Sequence, residues 1–348
     1  MEAFDCIILG AGPAGLKATA SLITCGHKVL MLEKEENPGG KLLRWDTLFP
    51  HGEKAGDILE NLLAPVRDTI RTGVNIISIN NSGNYFELID DKSNIYRSLT
   101  LVVTTGFVPF DAGIKEEYGY GIYGNVITSI ELEEMFANND IHTSDGRIPG
   151  KVAFIHCVGS RDVKVSREHC SAVCCITGIK QAVELSKRIP GIRVSCLYMD
   201  LRLHGRFYED RYKKAQMDYQ IQFIRGRLSE TNQNADGTIV LRYEDTLAGR
   251  PAKMTVDLVI LLVGMDPAPL PPFTREPERA VDGFFGRGLT GDITGGTSPG
   301  LFFAGTCSGP KNLAETMNEA TRMAVEASKY ISAFKQTKQV TSGDGVRV

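Results

Sequence analysis

Four of the eight cysteines stand close together, at Cys157, Cys170, Cys174 and Cys175, in the spacing C-x12-C-x3-C-C. Thiolate is the common ligand of iron-sulfur clusters and of structural zinc, and four thiolates close either site. The vicinal pair separates the two. Zinc sites usually join their cysteines through a spacer of about two to four residues, whereas Cys174-Cys175 has none and suits a larger cubane. A zinc site drawing on His156 or His169 stays open as an alternative, as does a set of buried thiols packed as small apolar side chains.

The elements that must position these cysteines read as a βαβ unit. Lys151 to His156 (KVAFIH) has the pattern of a buried strand, Ile176 to Ile189 that of an amphipathic helix, and Arg193 to Met199 that of a second strand. In a pyridine-nucleotide domain the turn after the first strand carries G-x-G-x-x-G, which lets a pyrophosphate approach the helix N-terminus. Here Cys157-Val158-Gly159-Ser160 and a polar insertion occupy that turn. Asp200, at the end of the second strand, reads as a remnant or a surface residue.

An intact fingerprint opens the chain. Asp5 to Leu9 is an apolar strand running into Gly10-Ala11-Gly12-Pro13-Ala14-Gly15, followed by a helix over Leu16 to Cys25 and a second strand, Lys28 to Leu32, ending in Glu33. Gly10 makes the turn, Gly12 admits the pyrophosphate, Gly15 permits helix-strand packing, and Glu33 can accept from a ribose hydroxyl. The 348 residues suffice for two or three packed domains, with the apolar and charged fractions of a globular protein. A formal charge of -3 gives no electrostatic case for nucleic acid. No apolar run approaches membrane-spanning length, so no membrane insertion is expected, and MEAFDCIILGAG has acids where a signal peptide needs bases. The expectation is a cytoplasmic protein whose cysteines serve as ligands or stay free.

Further along, an inter-domain connection is expected in the polar stretch Ser129 to Gly150. Beyond the βαβ unit, a helix is expected over Tyr208 to Tyr219 and strands over Gln222 to Leu228, Thr238 to Tyr243 and Met254 to Val263. Arg202, His204, Arg206 and Arg211 read as a solvated basic face. A strand from Gly300 ends in a glycine turn before a long helix, with Asn312 as N-cap and Glu315 completing a capping box. The residues after Phe334 read as a polar, disordered tail.

Several motifs resemble two-dinucleotide flavoproteins. Pro38-Gly39-Gly40-Lys41 is similar to the loop beside their flavin, and Thr104-Thr105-Gly106, after alternating strands over 74–103, is similar to their second dinucleotide contact. In such proteins the last long helix points its N-terminus at the flavin pyrimidine, where Lys311 would add to a positive field or stand exposed. Thr306 replaces their usual acidic residue, and Cys307 is either packed or near the flavin. More specifically, Gly39-Gly40-Lys41 with Leu48-Phe49-Pro50, Cys157 to Asp162, Cys174-Cys175, Tyr198-Met199-Asp200, Arg225-Gly226-Arg227 and Gly305 to Lys311 resemble HdrA, the flavoprotein of heterodisulfide reductase. The absence of ferredoxin-type C-x2-C-x2-C repeats resembles the short form in heterodisulfide-reductase-like complexes of sulfur oxidisers.

That resemblance implies an α/β protein of the two-dinucleotide-binding, thioredoxin-reductase-like flavoprotein fold, with two Rossmann-like domains. An FAD domain would span residues 1–128 and 268–335, a pseudo-NAD(P) domain residues 150–267, and the tail 336–348. FAD would be held by Gly10, Gly12, Pro13, Ala14, Gly15, Glu33, Lys34, Gly40, Lys41, Leu42, Thr105, Gly106, Gly305, Thr306, Lys311, Asn312 and Leu313, and a [4Fe-4S] cluster by Cys157, Cys170, Cys174 and Cys175. The implied protein is a homodimeric electron-transfer component working with HdrB- and HdrC-like partners, which hold the substrate chemistry. The alternative, a stand-alone NAD(P)H-dependent disulfide reductase, needs a C-x-x-C or C-x4-C dithiol and a nicotinamide glycine loop. Neither is present, leaving a strained Cys174-Cys175 disulfide as its device.

Overall fold

In the computed structural model the chain divides into two units, one of Met1–Leu43, Gly56–Val108 and Asp266–Val348, the other of Arg44–Ala55 and Pro109–Met265. The structure describes residues 3–83, 85–274, 276–285 and 298–343, with side chains up to residue 338.

The first unit is built on the strands β1 (Ala3–Leu9), β2 (Val29–Leu32), β3 (Ile70–Arg71), β4 (Ile76–Asn81), β5 (Phe86–Asp90), β6 (Ile95–Val103) and β16 (Leu301–Phe303). Their order is β3-β2-β1-β6-β5-β4, with β16 also paired to β6. The central strands are parallel and near-continuously apolar, as strands covered on both faces must be. β6 divides its length: Ile95–Ser98 pairs antiparallel with β5, and Leu101–Val103 parallel with β16. Helices α1 (Pro13–Thr24) and α6 (Leu313–Gly343) pack on each other, and α2 (Ala55–Leu63) lies earlier in the chain. The core gathers Ile7, Leu32, Ile79, Phe86, Leu101 and Phe303. α6 corrects the expected tail. Lys, Gln and Thr after Phe334 sustain a helix, and no breaker intervenes before Gly343; residues 344–348 lie outside the described residues.

The second unit holds a seven-stranded sheet in the order β13-β12-β11-β10-β9-β14-β8. Its strands are β8 (Val126–Thr128), β9 (Lys151–Val158), β10 (Arg193–Tyr198), β11 (Gln222–Gln233), β12 (Ile239–Asp245), β13 (Arg250–Val256) and β14 (Leu258–Val263); its helices are α3 (Ser129–Asn138), α4 (Cys174–Arg188) and α5 (Tyr208–Met217). β8, β14, β9, β10 and the start of β11 are parallel, while β11, β12 and β13 are antiparallel. Short strands β7 (Phe107–Pro109) and β15 (Met265–Pro267) lie where the chain crosses between units.

Three expectations change here. The stretch from Ser129 is a helix rather than a connection, because Thr128 and Glu131 form a reciprocal capping box, Thr128 N donating to Glu131 Oε2 at 2.7 Å and Glu131 N to Thr128 Oγ1 at 3.3 Å. The crossing accordingly falls at Pro109 instead of residues 129–150. The strand expected over Met254 to Val263 is two strands, broken at Asp257, whose Oδ2 accepts the N–H groups of Gly150 and Lys151 at 2.8 Å. Leu48-Phe49-Pro50 belongs to this unit. Asp46 pairs with Arg188 at 2.7 Å, and the Phe49 ring meets Tyr208 edge-on at 5.7 Å.

Candidate functional site

In the first unit the carboxyl ends of β1, β2, β6 and β16 draw one set of residues into a cradle. β1 leaves the sheet through Gly10 at φ +108°, a conformation that L side chains avoid. α1 then starts at Pro13 with Gly12 as N-cap, and Pro13 supplies the preset φ of a first helical residue. A Cβ on Gly15 would overlap the Gly10 carbonyl oxygen and stand 2.8 Å from Thr104 Oγ1. Glu33 is buried; its Oε2 accepts Ala11 N–H at 2.6 Å and its Oε1 that of Glu35 at 3.0 Å, so the carboxylate fixes the β1–α1 turn to the end of β2. Gly39 N–H donates to Ala11 O at 2.9 Å, and a Cβ on Gly40 would lie 3.1 Å from Gly12 Cα. A Cβ on Gly305 would come still closer, 2.6 Å from Ala14 Cβ, and one on Gly106 would stand 3.6 Å from Thr306 Oγ1.

Two features of this cradle fit a bound dinucleotide. Nothing lies within 4 Å of where a Cβ on Gly12 would stand, so protein packing does not require that glycine. Thr105 Oγ1 is buried and has no hydrogen-bond partner among the described residues. At the last helix, Asn312 N donates to Glu315 Oε2 and Glu315 N to Asn312 Oδ1, both at 2.9 Å, which is the expected capping box. Lys311 is neither exposed nor an unbalanced charge: its Nζ donates to Gly305 O at 2.7 Å and lies 2.9 Å from Glu319 Oε2, an oxygen that also accepts Gly305 N–H at 2.8 Å. Leu42 is buried and Leu313 half-buried, Lys41 Nζ sits 5.8 Å over the Phe107 ring, and Lys34 is exposed, 3.5 Å from Glu35. Cys307 is a packed core thiol donating to Val103 O and Ala304 O, pushed up to about 12 by burial.

The second unit assembles the cysteines. β9 runs through His156 to Cys157, and α4 starts two residues before its expected beginning, so that Cys174 and Cys175 form its first turn. Cys157 Sγ and Cys174 Sγ lie 3.7 Å apart. Cys175 Sγ accepts Arg202 N–H at 3.5 Å and lies 3.9 Å from Asp200 O, while Cys170 Sγ accepts Ala172 N–H at 3.4 Å. A ring nitrogen of His156 and the sulfurs of Cys174 and Cys175 lie within 4.8 Å of one another. His169 uses Nε2 on Met265 O at 2.9 Å.

The loop that carries the thiols is held in an uncommon conformation. Cys157, Arg161, Ser166 and Ala172 all have φ between +55° and +60°, a left-handed region that persists in non-glycine residues only when the surroundings over-determine it. Those surroundings are visible. Arg161 N donates to His169 O at 2.9 Å, Asp162 N to Arg167 O at 2.7 Å, and Ser171 N to Ser160 Oγ at 2.9 Å. Asp162 Oδ2 pairs with Lys115 at 3.0 Å and Arg227 at 3.1 Å, and Arg161 pairs with Asp200. Asp200, expected to be a remnant or surface residue, is thus a brace beside Cys175. The Arg-Gly-Arg motif acts likewise: Arg225 Nε donates to Met199 O at 3.2 Å, and Arg227 holds Asp162.

Crowding sets the protonation of these thiols. The hydrogen bond to Cys174 pushes the Cys157 thiol far up, burial adds to it, and so do the charges of Cys174, Cys175 and Cys170. Cys175 is driven up in the same way, first by its hydrogen bond to Cys174 and then by burial. Cys174 moves well below the ordinary thiol range because both neighbours donate to it, which outweighs its burial. Among these three thiols the contacts thus favour the thiolate at Cys174 over its two neighbours. Cys157 and Cys174 in contact, with Cys174 and Cys175 at a helix N-terminus that favours thiolates, make a sulfur-rich donor set that fits an iron-sulfur cluster.

No second nucleotide loop exists here. A Cβ on Gly159 would sit inside the ring of buried Phe110, and one on Gly264 would overlap Gly159 O. Phe110 therefore fills the space beside the turn that a pyrophosphate would approach. Sequence reasoning missed Phe110, Glu319, Lys115 and the bracing roles of Arg161 and Asp162. Only the charged residues flanking the cysteines hinted at the last two.

The fold is that of two-dinucleotide-binding flavoproteins. Thioredoxin reductases from T. acidophilum and Lactococcus lactis both superpose with a TM-score of 0.67 at 18% identity, over 96% and 95% of this chain and 99% of theirs. The description "Pyridine nucleotide-disulphide oxidoreductase" matches residues 4–324, and the chain belongs to that family of oxidoreductases. Among its curated relatives are A-type subunits of heterodisulfide reductases. It is 37% identical over 241 residues to the A-type iron-sulfur subunit of the CoB--CoM heterodisulfide reductase from Methanocaldococcus jannaschii, covering 66% of this chain and 36% of that protein. It is 38% identical over 239 residues to the A-type subunit of the H(2):CoB-CoM heterodisulfide,ferredoxin reductase from Methanothermobacter thermautotrophicus, with the same coverage. The chain thus spans about a third of the length of these relatives.

Proposed function

We propose that this chain is a cytoplasmic FAD- and [4Fe-4S]-containing electron-transfer subunit of a heterodisulfide-reductase-like complex in oxidative sulfur metabolism. It would work as a homodimer beside HdrB- and HdrC-like subunits. The observation that carries the reading is a dinucleotide cradle in one unit and, in the other, Cys157, Cys174 and Cys175 gathered at a helix N-terminus, with Cys170 on the braced loop between them, where a nucleotide loop would stand. A flavin exchanges electrons in pairs or singly and a cluster exchanges them singly, so the two together supply pair-to-single conversion. The chain's own groups do the holding. The α1 N-terminus and the open face of Gly12 receive the pyrophosphate, Glu33 orders the turn and accepts from the ribose, and the capped α6 N-terminus favours negative charge on the flavin. Gly40, Thr105, Gly106, Gly305 and Thr306 line the same cradle, and Cys157, Cys170, Cys174 and Cys175 ligate iron.

An anaerobic preparation assayed together for flavin, iron, acid-labile sulfide and zinc tests this. One flavin with about four irons and four sulfides per chain is expected. Zinc without sulfide overturns the cluster, and absence of flavin overturns the whole reading. The 3.7 Å Cys157–Cys174 contact favours a second reading, a self-contained disulfide reductase. The Phe110-filled turn speaks against it, and NADPH-driven disulfide reduction by the isolated chain would establish it.

A further inference from the structure

His156 is a buried histidine whose two ring nitrogens have no hydrogen-bond partner among the described residues. Buried imidazoles ordinarily satisfy at least the nitrogen that carries the proton, because leaving it dry forfeits its hydration. The ring is also given room at a cost. α4 carries Gly178 one turn beyond Cys174, in mid-helix, where glycine has the poorest propensity of any residue but proline. A Cβ at that position would lie 2.5 Å from Leu262 Cδ1, 2.9 Å from His156 Cε1 and 3.0 Å from its Nε2. The helix thus opens a notch that seats the imidazole against its first turns, with a ring nitrogen and the sulfurs of Cys174 and Cys175 within 4.8 Å of one another.

We propose that His156 is a positioning residue that donates a ring N–H to the sulfur of Cys174 and raises the reduction potential of the cluster. The inference rests on the cluster reading given above. An N–H donor stabilises the extra negative charge that reduction places on the iron-sulfur unit, and hydrogen bonds to sulfur are among the terms that set such potentials. The neutral imidazole suffices, so no change of charge on the ring is involved. With four cysteines present as ligands, the imidazole is a neighbour of the cluster and not a fifth donor to iron.

The test compares the whole chain, anaerobically reconstituted, as wild type, His156→Leu and His156→Gln. Iron and sulfide content come first, then EPR-monitored reductive titration. His156→Leu is expected to keep four irons and to favour the oxidised state about tenfold more, a downward shift of about 59 mV for a one-electron couple. His156→Gln, which keeps an N–H donor, should recover part of that shift. Equal potentials in wild type and His156→Leu overturn the proposal. If His156→Leu fails to fold or to hold iron, pulsed EPR on reduced wild type decides. A weak nitrogen coupling that changes with 15N-labelled histidine supports the hydrogen bond. No such coupling, or one strong enough for nitrogen bound to iron, refutes it. Absence of a cluster from wild type itself removes the function proposed above, and this inference with it, whereas a cluster with an indifferent His156 removes only the inference.

Discussion

Gly12 and Gly15 stand three residues apart in one fingerprint, and the structure assigns them different physical duties. Gly12 has φ -76° and ψ -179°, extended backbone that alanine also adopts, and a Cβ there meets nothing within 4 Å. Gly12→Ala should leave the flavin-free fold unchanged or firmer by a few tenths of a kcal/mol, since alanine restricts the unfolded chain. Its methyl group, however, would occupy the space left for the pyrophosphate. Losing backbone approach to a dianionic group should weaken FAD by at least about 100-fold, roughly 2.7 kcal/mol. Gly15→Ala is the opposite case. Its Cβ would overlap Gly10 O and crowd Thr104 Oγ1 at 2.8 Å, so α1 must move off β1 at the cost of overpacking, about 1–3 kcal/mol or more. The assay is thermal or denaturant unfolding of both flavin-free variants, with flavin per chain measured after reconstitution. Retention of flavin by Gly12→Ala at wild-type affinity would refute the assignment, as would equal destabilisation of the two flavin-free proteins.

The other outcomes concern the second unit. Cys174→Ser should lose iron and sulfide while keeping flavin, because the cradle is assembled wholly within the first unit; loss of both on elemental and flavin analysis would contradict this. Lys115→Met removes one of two cations from buried Asp162. A buried pair broken outright costs about 3–5 kcal/mol, but Arg227 remains and the contact to half-exposed Glu117 is worth little, so about 2–3 kcal/mol is expected in denaturant unfolding. The same pair gives a pH signature. Burial opposes charge on Asp162, yet hydrogen bonding and charge from Lys115 hold its carboxyl below the usual range. Its contribution is therefore whole above about pH 4 and lost as pH falls through the depressed value. Lys115 moves up despite burial, through Glu117 and Asp162, so its share is whole below about pH 10 and lost only as pH rises through the raised value. Asp162→Asn should flatten the acid limb of stability against pH; an unchanged limb would show that the pair contributes nothing. NADPH should not bleach the flavin of the isolated chain rapidly, and stopped-flow absorbance would detect it if it did.

How much the sequence discloses depends on the distance between partners. The glycine fingerprint with Glu33, the Asn312–Glu315 box and the four cysteines are local patterns, and each is legible because the physics that selects it acts within one turn or one βαβ unit. The Thr128–Glu131 box was equally local, and the polar composition after it obscured a helix. Other features are not local. Lys115 and Asp162 are 47 positions apart, and nothing in either neighbourhood marks a pair. Glu319 reaches back to Gly305 N–H from α6 and takes up the charge of Lys311, so a lysine beside a helix start gave the wrong picture of the field. Gly178 did leave a trace, a glycine inside a strongly patterned helix, but its reason lies in Leu262 and the ring of His156 on other strands.

The two units treat one architectural position in opposite ways. After β1, small residues keep the ground above a helix N-terminus open: Gly12 faces empty space, and the neighbouring loops close on Gly10, Gly15 and Gly305 to form a rim. After β9, the corresponding ground is filled from below by Phe110 and Gly264, and from above by a loop that returns to the helix N-terminus carrying its own ligands. A helix N-terminus favours anions of any origin. Phosphate oxygens of a mobile cofactor and cysteine thiolates of the chain itself satisfy the same field, but the second solution places several like charges together. The upward drive on Cys157 and Cys175 is the cost of that crowding, while the cations Lys115, Arg161 and Arg227 brace the loop through Asp162 and Asp200. Metal content, ahead of any activity, is therefore the measurement on which the proposed function turns.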